Sequence, residues 1–214
     1  MLKVQAITVG PFQENTYLVM DASTGDAVLV DPGDEPARLV ATVEQTGARL
    51  RAIWITHGHL DHIGGIAGVL RAMPVPVRMH PLDQPLYDEG ASQAAHYGLP
   101  FEQPPAPDGE LADGDDLELG TLRFRVMHVP GHAPGHVAFV GEGVVFGGDC
   151  LFAGSIGRTD LLLSDPLDLE KSLARFAALP GATVVYPGHG PATTVAAELD
   201  ENPFLNGVAR IPRR

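Results

Sequence analysis

The segment Thr56-His57-Gly58-His59-Leu60-Asp61-His62 sets three imidazoles and one carboxylate close together, directly after the apolar run Ala52-Ile53-Trp54-Ile55. Imidazole is the commonest metal ligand among side chains, and its neutral form suits zinc, iron and nickel. The bland alternative is a solvated turn that happens to be rich in histidine. Against it, further candidate ligands stand at the ends of other strand-like segments. His132 follows the run Leu122 to Met127, within His128-Val129-Pro130-Gly131-His132-Ala133-Pro134-Gly135-His136. Asp149 closes Val144-Val145-Phe146-Gly147-Gly148, and His189 closes Thr183-Val184-Val185-Tyr186-Pro187-Gly188. Each time, β-branched or aromatic residues run into Gly/Pro punctuation, and the candidate stands in the punctuation. Loops collected on one edge of a sheet are where a rigid scaffold holds functional groups.

The elements that would position these residues fall into two halves. Residues 2–9, 15–20 and 27–31 alternate or run apolar and end in turn chemistry, as an antiparallel meander does. Glu35 to Thr46 reads as a helix, with Leu39, Val40 and Val43 at helical spacing and Gly47 as its C-cap. A strand at 51–55 leads into the histidine loop, a helix from Ile63 to Ala72 follows, and a strand at 75–79 closes the half. Residues 81–109 are proline-rich and read as a lid or a short helix pair. In the second half, strands at 115–119, 121–128, 136–140 and 143–148 precede a loop from Cys150 to Ser164. A helix capped by Ser164 or Asp165 comes next, with Pro166 in its first turn and Leu169, Leu173 and Phe176 on one face. Pro180-Gly181 stops it, and a strand at 182–186 runs to His189. Strands with helices after them, twice over, suggest two sheets face to face with helices outside.

Composition narrows the function classes. A formal charge of −13 argues against nucleic acid, whose binding rests on Lys and Arg neutralising phosphates. One cysteine, Cys150, makes no intrachain disulfide and fits a reducing, cytoplasmic compartment. The start Met1-Leu-Lys-Val-Gln-Ala-Ile lacks a signal-peptide core, and no apolar run has a membrane span's length. A small-molecule substrate is the expected partner, and residues 1–214 read as a single domain.

The His-x-His-x-Asp-His pattern, the later Pro-Gly-His, the Gly-Asp after a strand and Pro187-Gly-His-Gly190 together resemble the metallo-β-lactamase superfamily. Phe146-Gly-Gly-Asp-Cys-Leu-Phe-Ala-Gly-Ser-Ile-Gly-Arg-Thr-Asp160 is similar to the branch that holds glyoxalase II. So is the tail with Glu198 and Asn202-Pro-Phe-Leu205, which looks like the short bacterial glyoxalase-II-like hydrolases. The resemblance implies an αββα sandwich of two mixed sheets. It implies that His57, His59 and His132 bind one metal, that Asp61, His62 and His189 bind a second, and that Asp149 bridges them. It implies two divalent ions, zinc foremost, with iron or manganese as alternatives, and catalytic roles for Asp61 and Asp149 through the ions. The implied substrate is an S-acylglutathione of the S-D-lactoylglutathione class. Arg158 would hold a glutathione carboxylate, or else pair with Asp160 or Asp165 and fix the loop; Asp160 stands where that branch places a tyrosine. Gly157-Arg-Thr-Asp160 also occurs in mononuclear-iron persulfide dioxygenases of the superfamily, whose triad would be His57, His132 and Asp149. A lactone or another ester is a further alternative substrate.

Other polar residues are expected in plainer roles. Cys150 reads as a small buried hydrophobe, His80, His96 and His128 as loop or core residues, and Trp54 as strand core. His136 either orients a ligand or shapes a turn. Asp31 either supports the metal loop or shapes the Asp-Pro-Gly turn.

Overall fold

The structure is a computed structural model that describes residues 1–212. The N-terminal sheet carries β1 (Leu2–Val9), β2 (Glu14–Asp21), β3 (Asp26–Val30), β4 (Arg49–Trp54), β5 (Val77–Met79) and β6 (Gly109–Glu110), in that spatial order. The first three pair antiparallel and the rest parallel. The second sheet carries β7 (Asp116–Leu119), β8 (Leu122–His128), β9 (Val137–Gly141), β10 (Val144–Gly148), β13 (Val184–Pro187) and β14 (Thr193–Thr194). Between its strands sits a separate hairpin of β11 (Leu151–Phe152) and β12 (Ser155–Ile156). β10 and β13 run parallel, and the other pairs of this sheet are antiparallel.

β3 shows why the sandwich forms. All five of its residues are buried, Asp26 beneath its ion pairs with Arg49 and Arg51. Ala27 to Val30 are apolar without a break because a strand covered on both faces needs apolar side chains at successive rather than alternate positions. Val28 and Val30 point between the sheets, where Trp54 meets Phe124 and Phe139 of the second sheet. Ala27 and Leu29 point outward, under α1 (Pro36–Thr46) and the helix after the histidine loop. On the far side, Met127, Val145 and Val185 lie under Leu169, Leu173 and Phe176 of α6 (Pro166–Ala177) and Val195 of α7 (Val195–Glu201). The order helix, sheet, sheet, helix is the expected αββα sandwich. Each fully buried Val, Leu or Phe in these layers contributes roughly 1.5–3 kcal/mol.

Several local expectations change. The helix expected over 63–72 is split into α2 (Leu60–Ile63) and α3 (Ile66–Ala72). The cause is contact with the Asp31-Pro32-Gly33 turn: Gly65 N–H donates to Pro32 O at 2.9 Å, and a Cβ on Gly64 would stand 2.6 Å from Gly33 O. Residues 81–109 form a 3-10 turn at Pro81–Asp83, then α4 (Gln84–Asp88) and α5 (Gly90–Tyr97), and end in the edge strand β6. Asp165, not Ser164, caps α6, accepting from Leu167 and Asp168 N–H. His80 and His128 keep the loop and core roles expected of them, and their rings stack in parallel at 4.4 Å. The β11–β12 hairpin, β14 and α7 carry too few periodic residues to be read beforehand. No helix among the described residues is long and apolar enough to cross a membrane.

Candidate metal centre

The candidate ligands gather at one edge of the sandwich, past the C-terminal ends of β4, β8, β10 and β13. Three donor groups form there, each with ligand atoms within 4.8 Å of one another. They are His57 with His59 and His132, Asp61 with His62 and His189, and Asp31 with His57 and His62. The first two correspond to the sets the resemblance implies. Asp149 stands between them: Oδ1 is 3.4 Å from His62 Nε2, and Oδ2 is 3.6 Å from His132 Nε2 and 3.5 Å from His189 Nε2.

Hydrogen bonds fix which nitrogen of each ring is free. Thr56 Oγ1 gives its only proton to Asp31 Oδ2 at 2.5 Å, so its 3.0 Å contact with His57 Nδ1 has the imidazole donating. That leaves the His57 Nε2 lone pair unused. His62 Nδ1 donates to Asp31 Oδ2 at 3.0 Å, which turns its Nε2 toward Asp149, and His132 Nδ1 donates to Arg158 O at 2.9 Å, which turns its Nε2 toward His59 Nδ1 at 2.9 Å. Asp31 itself is held by Thr56 N–H at 2.7 Å. Asp31 thus supports the metal loop as well as shaping the turn. His136 is also a support: Nδ1 donates to Val129 O, and Nε2 accepts the Asp149 N–H at 3.1 Å.

The match with known proteins is of the same extent. The family model of the metallo-β-lactamase superfamily covers residues 9–189. The chain belongs to that superfamily. Among its members, a hydroxyacylglutathione hydrolase, GloC, of Haemophilus influenzae is 35% identical over 96% of this chain and 99% of its own length. The crystal structure of TTHA1623 in a di-iron-bound form superposes with a TM-score of 0.88 at 47% identity, covering 94% of this chain and all of that one. That of the BLEG-1 B3 metallo-beta-lactamase gives 0.90 at 36% identity, over 96% of this chain and 100% of the other.

The superfamily implies metal, and the residues fit it. His57 Nε2, His62 Nε2 and Asp149 Oδ1 are buried without a hydrogen-bond partner, a condition that native structures rarely leave unexplained. Borderline imidazole and hard carboxylate donors mix here, a set suited to divalent transition metals. The electrostatics differ between the two groups. Burial pushes His57 well below its ordinary pKa, lowers His132, and together with His132 pushes His59 down to about 3. These rings are neutral and ready to ligate. Burial would lower His62 as well, but the carboxylates of Asp149 and Asp61 outweigh it and hold His62 well above its ordinary value. Hydrogen bonds to Asp149 and Asp61 likewise raise His189 to about 9 against its burial. Both shifts show that the carboxylates of Asp61 and Asp149 favour positive charge at this group.

Four contributors escaped the sequence reading: Asn15, Thr56, Asp83 and Gln93. Asn15 Nδ2 donates to Pro187 O and Gly190 O, strapping the His189 loop to the first sheet. Asp83 is buried and accepts Gly58 N–H at 2.9 Å and Gly135 N–H at 2.5 Å, one per oxygen. It ties the loop of His57 and His59 to the loop of His132. Gln93 Oε1 accepts Leu60 N–H from α5. Only Asn15 had a signal, as a polar residue opening an apolar strand.

A cavity of about 800 Å³ opens over the centre. His59, Asp61, His132, Asp149 and His189 form its floor. Arg158 lines it too, but Nε and Nη2 hold the Asp160 carboxylate at 2.6 and 2.7 Å. Cys150 is fully buried, with its thiol pKa raised by burial and by Asp149, so it is core.

Proposed function

We propose that this chain is a binuclear metal-dependent hydrolase that cleaves a thioester of the S-acylglutathione class. The observation that carries the reading is Asp149, placed between two complete donor groups, with its Oδ1 and two neighbouring imidazole nitrogens left unpaired. A closed structural zinc site needs only four ligands and keeps no open face, whereas this one forms the floor of a cavity. In this reading His57, His59 and His132 would hold one ion, Asp61, His62 and His189 would hold the other, and Asp149 would serve both. Bound divalent ions there supply Lewis acidity for a carbonyl oxygen and a nucleophilic water at neutral pH.

The chain's own residues do the rest. Asp31 and Thr56 keep the His57 and His62 rings in the tautomer that presents Nε2, and Arg158 O does so for His132. His136 fixes the backbone of Asp149. Apolar side chains above the floor exclude water from a bound acyl group. A thiolate leaves without protonation by an acid, so no further proton donor is required of the walls. The hydroxyacylglutathione hydrolase of Haemophilus influenzae supports the glutathione thioester, and the di-iron form of the 47% identical structure supports two ions; zinc, iron or manganese would suit these imidazole and carboxylate donors. One domain over residues 1–214 and a cytoplasmic setting belong to the same reading.

The test is metal analysis with substrate turnover. Metal-loaded protein should hold about two divalent ions per chain and consume S-D-lactoylglutathione without oxygen uptake. A stable form with one iron that takes up oxygen on glutathione persulfide would instead establish the dioxygenase alternative.

A further inference from the structure

The walls of the cavity offer little to the two carboxylates of glutathione, which outnumber its single ammonium. Leu86, Tyr97, Phe152, Ile156 and Leu162 line the cavity above the metal floor, alongside the neutral polar side chains of Ser92, Gln93 and Ser155 and the imidazole of His96. Tyr97 is braced edge-to-face by Phe12 at 5.0 Å. The acids Glu89 and Asp160 stand in the same walls, against the single guanidinium of Arg158. That guanidinium already makes a two-pronged pair with Asp160. A substrate carboxylate would have to displace one carboxylate to gain another, and Asp160 would remain beside it as a like charge. The exchange yields no net hydrogen bond, and a chain carrying −13 adds an unfavourable background field.

The apolar surface also continues outward. Leu162 is 71% exposed at the cavity mouth, and its neighbour Leu163 is held at φ 64°. A leucine adopts that left-handed backbone only at a cost, and such strain collects at functional loops. A loop that spends stability to present leucine to solvent beside a cavity marks an apolar ligand surface.

We propose that the cavity is built for thioesters whose end remote from the scissile bond is neutral and apolar, with Asp160 the residue that sets this preference. The proposal rests on the hydrolase reading for the bond that is cleaved, but not for the group that is bound. Glutathione thioesters are substrates in this view, held weakly, because the one cation that could select them is occupied.

Binding of two uncleavable thioethers separates the possibilities. S-benzylglutathione and N-acetyl-S-benzylcysteamine share the benzyl group and differ in the charge of the remainder. Calorimetric titration of the metal-loaded protein should find the neutral compound bound at least about tenfold more tightly. In Asp160→Asn the gap should narrow by about threefold or more, since Arg158 is then free to take a carboxylate. Equal or tighter binding of S-benzylglutathione, or an unchanged ratio in the variant, would overturn the proposal. Turnover of thioesters on the same two thiols is measured alongside. Failure to cleave either, with the binding preference intact, would reject the hydrolase reading and leave the cavity assignment standing.

Discussion

Replacing Asp83 by Asn tests the linkage between the two ligand-bearing loops. Burial raises this carboxyl from 3.8 to about 6, and the N–H groups of Gly135 and Gly58 pull it only part of the way back. The sign follows from the raised value. The neutral form is favoured in the folded chain, so stability is highest below the unfolded pKa and is lost as pH rises through about 6. At pH 7 the displacement corresponds to roughly 3 kcal/mol of stability lost to keeping the charge buried. Roughly half of it should return between about pH 7.5 and 5. Asparagine cannot ionise, so Asp83→Asn should lack this component. It also offers one acceptor where two N–H groups wait, which costs roughly 1.5–3 kcal/mol. The two changes oppose each other near neutrality, and the variant should be about as stable as the parent there. Urea unfolding of metal-free protein, followed through the single buried tryptophan, Trp54, gives the difference at each pH. Parent and variant curves that stay parallel from pH 5 to 7.5 would refute the argument.

Three further outcomes are expected. His136→Ala removes the acceptor of the Asp149 N–H and should weaken metal binding by roughly 10- to 100-fold in a chelator competition, with the fold retained. Gly188→Ala would put a Cβ 2.1 Å from Asp149 Oδ1 and 2.8 Å from His62 Cε1, so elemental analysis should find the second ion depleted. Asn202→Ala loses donations to Ser155 O and to Glu198 Oε2, a cost of roughly 1–3 kcal/mol. Because Glu198 also accepts the Gly154 N–H, proteolysis should then cut first within residues 151–156.

The ligand pattern was legible because each candidate stands where a strand ends, and strand ends announce themselves through β-branched runs and Gly/Pro punctuation. The layers were legible for a related reason: Ala27 to Val30 of β3 read as continuously apolar, and α6 shows its buried face at Leu169, Leu173 and Phe176. Supporting residues were harder. Asp31 looks the same in sequence whether it caps a turn or orients two imidazoles. Asp83 lies in a proline-rich stretch whose short helices have no room to show a period. The stacking of His80 on His128 joins residues from different sheets and leaves no local trace. Arg158 could be named as a cation near the site with Asp160 and Asp165 as candidate partners, but that it pairs with Asp160 is a matter of side-chain direction.

The candidate ligands come from both sheets, His57 to His62 from the first and His132, Asp149 and His189 from the second. An ion shared among them is therefore a crosslink across the sandwich, closing loops far longer than any local contact does. This chain has one cysteine and can form no disulfide within itself; coordination can do the corresponding work of tying distant segments together. Such a tie depends on mass action in a way that a covalent bond does not. The melting temperature should climb with free metal concentration and fall on chelation, and a melting temperature indifferent to both would show that the two sheets hold together without it.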